Sequence, residues 1–65
     1  MGGTFDRELR RLLVEAGCNY LRPAKGSHEL WQSPITGQSF TVPQGIASRH
    51  TANAILKQAG LPKAF

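Results

Sequence analysis

The sequence has few of the residues that build metal centres and disulfide-stabilised folds. It contains one cysteine, Cys18, and two histidines, His28 and His50. A single cysteine excludes an internal disulfide and fits a reducing compartment. One cysteine and two histidines are also too few for the usual zinc sites, so we expect no metal and no other cofactor. The glycine-rich phosphate-binding loops of nucleotide-dependent enzymes are missing as well.

Long apolar runs are also missing. No stretch approaches the roughly 18 residues needed to cross a membrane. Residues 1–5 lack the apolar segment of a signal peptide. Asp6 stands where an N-myristoylation signal has Ser or Thr. We therefore expect a cytoplasmic protein.

The length and charge of the chain narrow its class further. Its 65 residues allow one domain, taken to span residues 1–65, and folding should bury only about 60% of the surface. A deep substrate cavity is therefore not expected. Eight Lys and Arg against four Asp and Glu give a net charge of +4. This excess favours a polyanionic or acidic partner, although solubility alone would also account for it.

Two segments have the periodicity of amphipathic helices. In residues 5–16, apolar side chains recur at the spacing of one helix face, with Thr4 as the expected N-cap and Gly17 as the end. Residues 49–59 form the second predicted helix, which Ser48 or Thr51 can cap and which Gly60 ends.

Three short segments between the helices have strand character. They are residues 18–22, 28–32 and 39–42, and a turn over residues 33–38 joins the last two. The predicted order is α-β-β-β-α, an α+β fold with a three-stranded antiparallel sheet. Both helices are expected on one face of the sheet, which leaves the opposite face open to solvent.

Four consecutive residues carry chemistry suited to a phosphodiester: Lys25, Gly26, Ser27 and His28. Lys25 can neutralise phosphate oxygens, Ser27 can bind one, and Gly26 lets a ligand approach the backbone. His28 carries an imidazole, which can take or give a proton. RNA supplies its own nucleophile in the 2′-OH, so cleavage needs no cofactor. From spacing alone, the plainer interpretation is a turn that begins a strand, with a surface histidine.

This motif is the first of three segments in which the sequence resembles a known family. The segments are Lys25-Gly26-Ser27-His28-Glu29-Leu30-Trp31, Phe40-Thr41-Val42-Pro43 and Ile55-Leu56-Lys57-Gln58-Ala59-Gly60-Leu61. Their order and spacing resemble the HicA, or YcfA-like, toxins of bacterial type II toxin–antitoxin systems. The resemblance extends over nearly the whole chain, from the first helix to Leu61.

The resemblance implies a double-stranded-RNA-binding-domain-like fold, which agrees with the order above. It also implies an mRNA interferase, an endoribonuclease that cuts transcripts, with His28 as the catalytic histidine. Cleavage would proceed without metal by attack of the 2′-OH on the adjacent phosphate. The implied partner is a HicB-type antitoxin that covers the active surface. The departure is at Gly45: family members often have a second histidine about two residues after Val-Pro, so the general acid stays open.

The sequence also suggests which other residues contact RNA and which have structural roles. RNA contacts are expected at Lys25, Gly26, Ser27 and Arg22. Cys18, Trp31 and Tyr20 are expected to fill the core, and Cys18 is not expected to be a nucleophile. One solvated helix face is expected for Arg7, Arg10 and Arg11, with a phosphate track or contact with an acidic antitoxin surface as the alternatives. An anion site at the start of the second helix is the alternative considered for Arg49 and His50.

Three functions compete at this point. The first is a metal-independent ribonuclease toxin that acts through His28. The second is a non-catalytic RNA-binding module in which His28 is only a contact. The third is an antitoxin-binding protein with weak or no nuclease activity. The charge of +4 does not separate them, and the Gly-Ser-His motif favours the first only through the family resemblance.

Overall fold

A computed structural model describes residues 4–65. Residues 1–3, which entered the expectation about a signal peptide, lie outside the described part. The elements are α1 (Asp6–Glu15), β1 (Asn19–Pro23), β2 (His28–Gln32), β3 (Ser39–Pro43) and α2 (Arg49–Gln58). The predicted order α-β-β-β-α is confirmed, with every boundary within one residue. Neither described helix has the length and apolarity that a membrane crossing requires.

The three strands form one antiparallel sheet in the order β1-β2-β3. His28 lies opposite Pro43, and Trp31 lies opposite Phe40. Side chains directly opposite one another point to the same face, and neighbours along a strand point to opposite faces. One face, the covered face, therefore carries Glu29, Trp31, Phe40 and Val42. The other, the open face, carries His28, Leu30, Gln32, Ser39 and Thr41.

Both helices lie against the covered face. Leu9 and Leu13 of α1 and Ile55 and Leu56 of α2 join the strand residues in one buried cluster. The smallest Cα extent of the molecule is 16 Å, which fits one sheet and one layer of helices. The prediction of two helices on one face is thereby confirmed, and the open face has no helix over it.

The core predictions for three residues had different outcomes. Cys18 and Trp31 are buried, at 5% and 6% exposure, which confirms both. The prediction for Tyr20 is wrong, because this side chain is 49% exposed. Tyr20 lies on edge strand β1, and its ring and that of Trp31 meet edge to face at 6.1 Å between ring centroids.

The helix starts differ from each other. Ser48 caps α2 by accepting a hydrogen bond from the backbone N–H of His50 at 3.2 Å, as predicted. The prediction that Thr4 caps α1 is wrong, because the capping position is Phe5 and no side chain caps it. Instead, the Phe5 N–H donates to the Ile46 carbonyl at 2.9 Å, which ties this helix start to the loop before α2.

The turn between β2 and β3 is fastened from inside by Ser33. This side chain is fully buried. Its hydroxyl donates to the Ala59 carbonyl at 2.6 Å and accepts from the Ile35 N–H at 3.1 Å. The turn is thus anchored to the end of α2. The opposite end of the sheet, where β2 begins, holds the predicted site.

Candidate active site

The predicted motif forms the tip of the β1–β2 hairpin. The Ala24 N–H donates to the His28 carbonyl at 2.9 Å, and the His28 N–H donates to the Lys25 carbonyl at 3.4 Å. Gly26 has φ +68°, and Ser27 has a negative φ. This pair of angles is the pattern of a type II′ turn, which favours glycine at its first central position. A tight turn therefore brings Lys25, Ser27 and His28 together at one corner, all of them exposed.

His28 is the first residue of β2 and lies on the open face of the sheet. It pairs with Pro43 of β3, and it shares a face with Leu30 two residues later. The side chain is exposed. The motif thus presents an imidazole at the rim of an uncovered sheet face, where a long polymer could reach it without entering a cavity.

A bulge in β1 decides where Arg22 points. Tyr20 pairs with Trp31, but Arg22 pairs with Leu30, so the register shifts at Leu21. Residues two apart on a regular strand share a face, but the extra residue of a bulge reverses that relation. The bulge therefore places Tyr20 with the covered face and Arg22 with His28 on the open face. Arg22 is exposed, and its guanidinium donates to the Pro23 carbonyl at 3.3 Å.

The covered side of the same corner is held by an ion-pair network. Glu29 accepts hydrogen bonds from Arg10 Nε at 3.1 Å and from Trp31 Nε1 at 3.0 Å. Arg10 Nη2 also donates to the Pro43 carbonyl at 3.5 Å. Since Pro43 pairs with His28, one arginine of α1 ties together the strand ends beneath the hairpin. This network shows that Arg10 is not part of a freely solvated helix face.

A second contact fixes the loop after β3. The Asp6 carboxylate accepts the N–H groups of Gly45 and Ile46, each at 2.8 Å. Partial burial alone would raise the pKa of Asp6, but these two N–H groups and the charge of Arg10 lower it below its ordinary value. Gly45 has φ +74°, a conformation that favours glycine. The position where the family often has a histidine is therefore built here as a tight glycine turn.

The charges on α1 are largely cancelled within the helix and its contacts. Arg11 pairs with Glu8 and Glu15, and Arg10 pairs with Asp6 and Glu29. The hydrogen bonds to Arg11 lower the pKa of Glu8, and the two glutamates raise the pKa of Arg11. Within residues 4–65 these contacts engage all four carboxylate side chains. The cations that have no carboxylate partner there are Arg7, Arg22, Lys25, Arg49, Lys57 and Lys63.

The structure thus brings four of the predicted residues to one corner, namely Arg22, Lys25, Ser27 and His28, with Gly26 as the turn between them. Arg49 and His50 are exposed at the start of α2. Sequence reasoning missed the role of Glu29. One signal was available: a buried indole N–H needs an acceptor, and Glu29 lies two residues from Trp31 on the same strand face. The Asp6 and Arg10 contacts had no such local signal.

Comparison with known proteins gives one match. The family described as "HicA toxin of bacterial toxin-antitoxin" matches residues 7–61, which is most of the chain. No curated protein and no solved structure matched. The matched range includes all of α1 except Asp6, the whole sheet with its hairpin, and α2.

Proposed function

The chain belongs to the HicA toxin family, whose members are toxins of bacterial toxin–antitoxin systems, and from that membership we propose that it is an endoribonuclease of the mRNA interferase type. His28 is the group that moves protons in this proposal. Lys25, Arg22, Ser27 and the Gly26 backbone are the RNA contacts around it. The activity belongs in the cytoplasm, where transcripts are translated.

One observation carries the proposal: His28 is exposed on the open face, and two exposed cations without a carboxylate partner among residues 4–65 belong to the same hairpin. Lys25 lies in the same turn, and Arg22 reaches that face through the bulge. Unpaired cations near an exposed imidazole attract phosphate. The only carboxylate of the strands, Glu29, is turned to the covered face and paired, so it does not repel a polyanion at His28.

The reaction that fits these groups needs no external nucleophile. The ribose 2′-oxygen forms a bond to the adjacent phosphorus, and the bond from phosphorus to the 5′-oxygen of the next nucleotide breaks. The products are a 2′,3′-cyclic phosphate and a 5′-OH end. His28 takes the proton of the 2′-OH, and the leaving 5′-oxygen takes a proton from water. Lys25 and backbone N–H groups neutralise charge on the phosphoryl oxygens in the transition state.

The proposed regulator is a HicB-type antitoxin. Family membership makes an antitoxin the expected partner. Because Lys25, Ser27 and His28 are exposed, an inhibitor can cover them from outside. Binding of the antitoxin over the hairpin would block RNA access to His28 without changing the fold.

A cleavage assay in EDTA tests the proposal. Purified protein is incubated with a long single-stranded RNA, beside the variants His28→Ala and His50→Ala. We expect cleavage by the parent, retained activity in His50→Ala, and a loss of about 10²- to 10⁴-fold in His28→Ala. RNA affinity, measured separately, should stay nearly unchanged in both variants. Complete loss of parental cleavage on chelation, or equal activity in the two variants, would refute it.

One observation favours a second candidate, a non-catalytic RNA-binding protein. Gly45 occupies the position where family members often carry a second histidine, and its backbone is committed to Asp6. Without a second histidine at this position, His28 would serve only as a contact to RNA. In that case the parent protein binds RNA with strong salt dependence and cleaves none of it.

A further inference from the structure

The open face of the sheet forms ordered rows of polar side chains that lead away from His28. Gln32 pairs with Asn19 on one side and with Ser39 on the other. The next row is Arg22, Leu30 and Thr41, and His28 follows at the end of the sheet. All of these side chains are exposed except Leu30, which is half-buried at the centre.

We propose that the open face binds the single-stranded RNA adjoining the cleaved bond, and that Asn19, Gln32 and Ser39 select its bases. This inference rests on the proposed ribonuclease function, because it assigns the substrate-reading surface of the same site. Amide and hydroxyl groups both donate and accept hydrogen bonds, which is what the edges of unpaired bases require. Side chains of this kind give sequence preference, whereas cations alone give only affinity.

The charge of the open face is compatible with binding of a polyanion such as RNA. Within the described strands the one carboxylate, Glu29, lies on the covered face, and Arg22 is the one cation on the open face. The face is therefore polar, free of negative charge and weakly positive. The apolar side chain at the centre of this face, Leu30, is half-buried.

The distance between His28 and the row of Asn19, Gln32 and Ser39 indicates which part of the RNA lies on the open face. His28 and Gln32 are four residues apart along β2, which corresponds to about 13 Å. An RNA strand whose reacting phosphate lies at His28 therefore reaches the row of Asn19, Gln32 and Ser39 within a few nucleotides. The bulge at Leu21 contributes by directing Arg22 to the middle row, where it can contact the connecting phosphate.

Side-chain amide signals in an NMR spectrum test the binding surface directly. The chain has six amide side chains, of which Asn19 and Gln32 lie on the open face; the others are Gln38, Gln44, Asn53 and Gln58. Uniformly ¹⁵N-labelled His28→Ala protein, which should not cut RNA, is titrated with a short single-stranded RNA of mixed sequence. We expect the side-chain NH₂ signals of Asn19 and Gln32 to shift, while those of Asn53 and Gln58 on α2 stay in place.

Two outcomes would overturn the inference, and a third would separate it from the proposed nuclease function. Shifts confined to Asn53 and Gln58 would place the RNA on the helical side. Shifts at Asn19 and Gln32 that appear only when an unlabelled HicB-type antitoxin is added would make the open face a protein interface. If RNA shifts the Asn19 and Gln32 signals but the parent protein never cleaves RNA, the open face is still the RNA-binding surface. That result would refute only the nuclease function.

Cleavage-site mapping tests the selection of bases. The parent protein is compared with Asn19→Ala, Gln32→Ala and the matched control Gln58→Ala on a pool of RNAs with random sequence. We expect the two open-face variants to flatten the base preference near the cut and to slow cleavage at the preferred sites by about tenfold. Melting temperatures verify that all variants fold. A base preference that is unchanged in both open-face variants would refute the assignment.

Discussion

The two faces of the sheet consist of the same three strands, yet they carry opposite kinds of side chain. The covered face holds Trp31, Phe40 and Val42, all buried, and its one charged group, Glu29, accepts hydrogen bonds from Arg10 and Trp31. The open face holds exposed polar side chains, including His28. Two consecutive residues therefore have different surroundings. The His28 side chain is exposed to solvent, whereas Glu29 is hydrogen-bonded on the covered face.

Because the strands are pleated, the residues that stabilise the fold and the residues proposed to act on RNA lie on opposite faces of the same sheet. A small domain has little core, so every covered-face residue matters for folding. The open face contributes little burial and is free to carry functional groups. Substitutions at adjacent positions should therefore have different consequences, and the expected effects range from loss of the fold to small changes in RNA affinity.

The largest effect is expected from truncating the covered face. Phe40→Ala removes a large side chain that is 4% exposed, at a cost of about 3–5 kcal/mol, which is comparable to the whole stability of a domain this small. Its neighbour Thr41→Ala, on the open face, should cost less than about 1 kcal/mol. Urea unfolding of both variants measures the contrast. Similar losses at the two positions would mean that the faces do not differ in this way.

Removing the shared acceptor of the covered face should have the next largest effect. Glu29→Ala leaves the Trp31 N–H and the Arg10 guanidinium without their partner, and we expect a loss of about 1–3 kcal/mol in the free energy of unfolding. Glu8→Ala breaks an arginine pair on the exposed side of α1 and should cost much less, because an exposed ion pair contributes little to stability. Equal losses in both variants would contradict the role given to Glu29.

The contact between Asp6 and the loop after β3 should make stability depend on pH. The pKa of Asp6 is lower in the folded protein than in the unfolded chain. The carboxylate therefore contributes fully to the free energy of unfolding above the unfolded pKa of about 3.9. That contribution is lost as the pH falls through the folded pKa. Asp6→Asn should cost about 1–2 kcal/mol at pH 7. Thermal unfolding at pH 7 and near pH 2 checks this, because the difference from the parent should shrink in acid. A constant difference would rule out the carboxylate as its source.

The smallest effect is expected for a single cation on the open face. In the His28→Ala background, Arg22→Ala should weaken single-stranded RNA binding about fivefold and reduce the salt slope by about 0.7. Arg7→Ala removes the same charge from α1 and should leave the salt slope nearly unchanged. RNA titrations at several salt concentrations measure both. Equal slopes in the two variants would indicate that net charge, and not the open face, governs binding.

Much of the fold could be predicted from local patterns. The spacing of apolar residues in α1 and α2 and the alternation around Phe40 and Val42 depend only on neighbouring residues, and they fixed the elements to within one residue. The hairpin motif was equally accessible, because Lys25, Gly26, Ser27 and His28 are consecutive. Their roles in catalysis and RNA binding stay predictions.

What could not be predicted depends on pairs that are distant in sequence. Asp6 meets Gly45 and Ile46 across about 40 residues, and Arg10 meets Glu29 and Pro43. No short-range pattern encodes such contacts. The expected Thr4 cap was wrong for this reason, because the start of α1 is satisfied by the distant loop.

The sequence by itself determined the order of the elements, their boundaries and the turn that carries His28, because helix and strand periodicity and turn chemistry are local. The tertiary structure alone decided which face each side chain occupies at the irregular positions. Tyr20 lies on edge strand β1 and stays half exposed beside Trp31, and the bulge at Leu21 turns Arg22 toward the face of His28. A register shift depends on how two strands pair, and pairing becomes defined only when the sheet has formed.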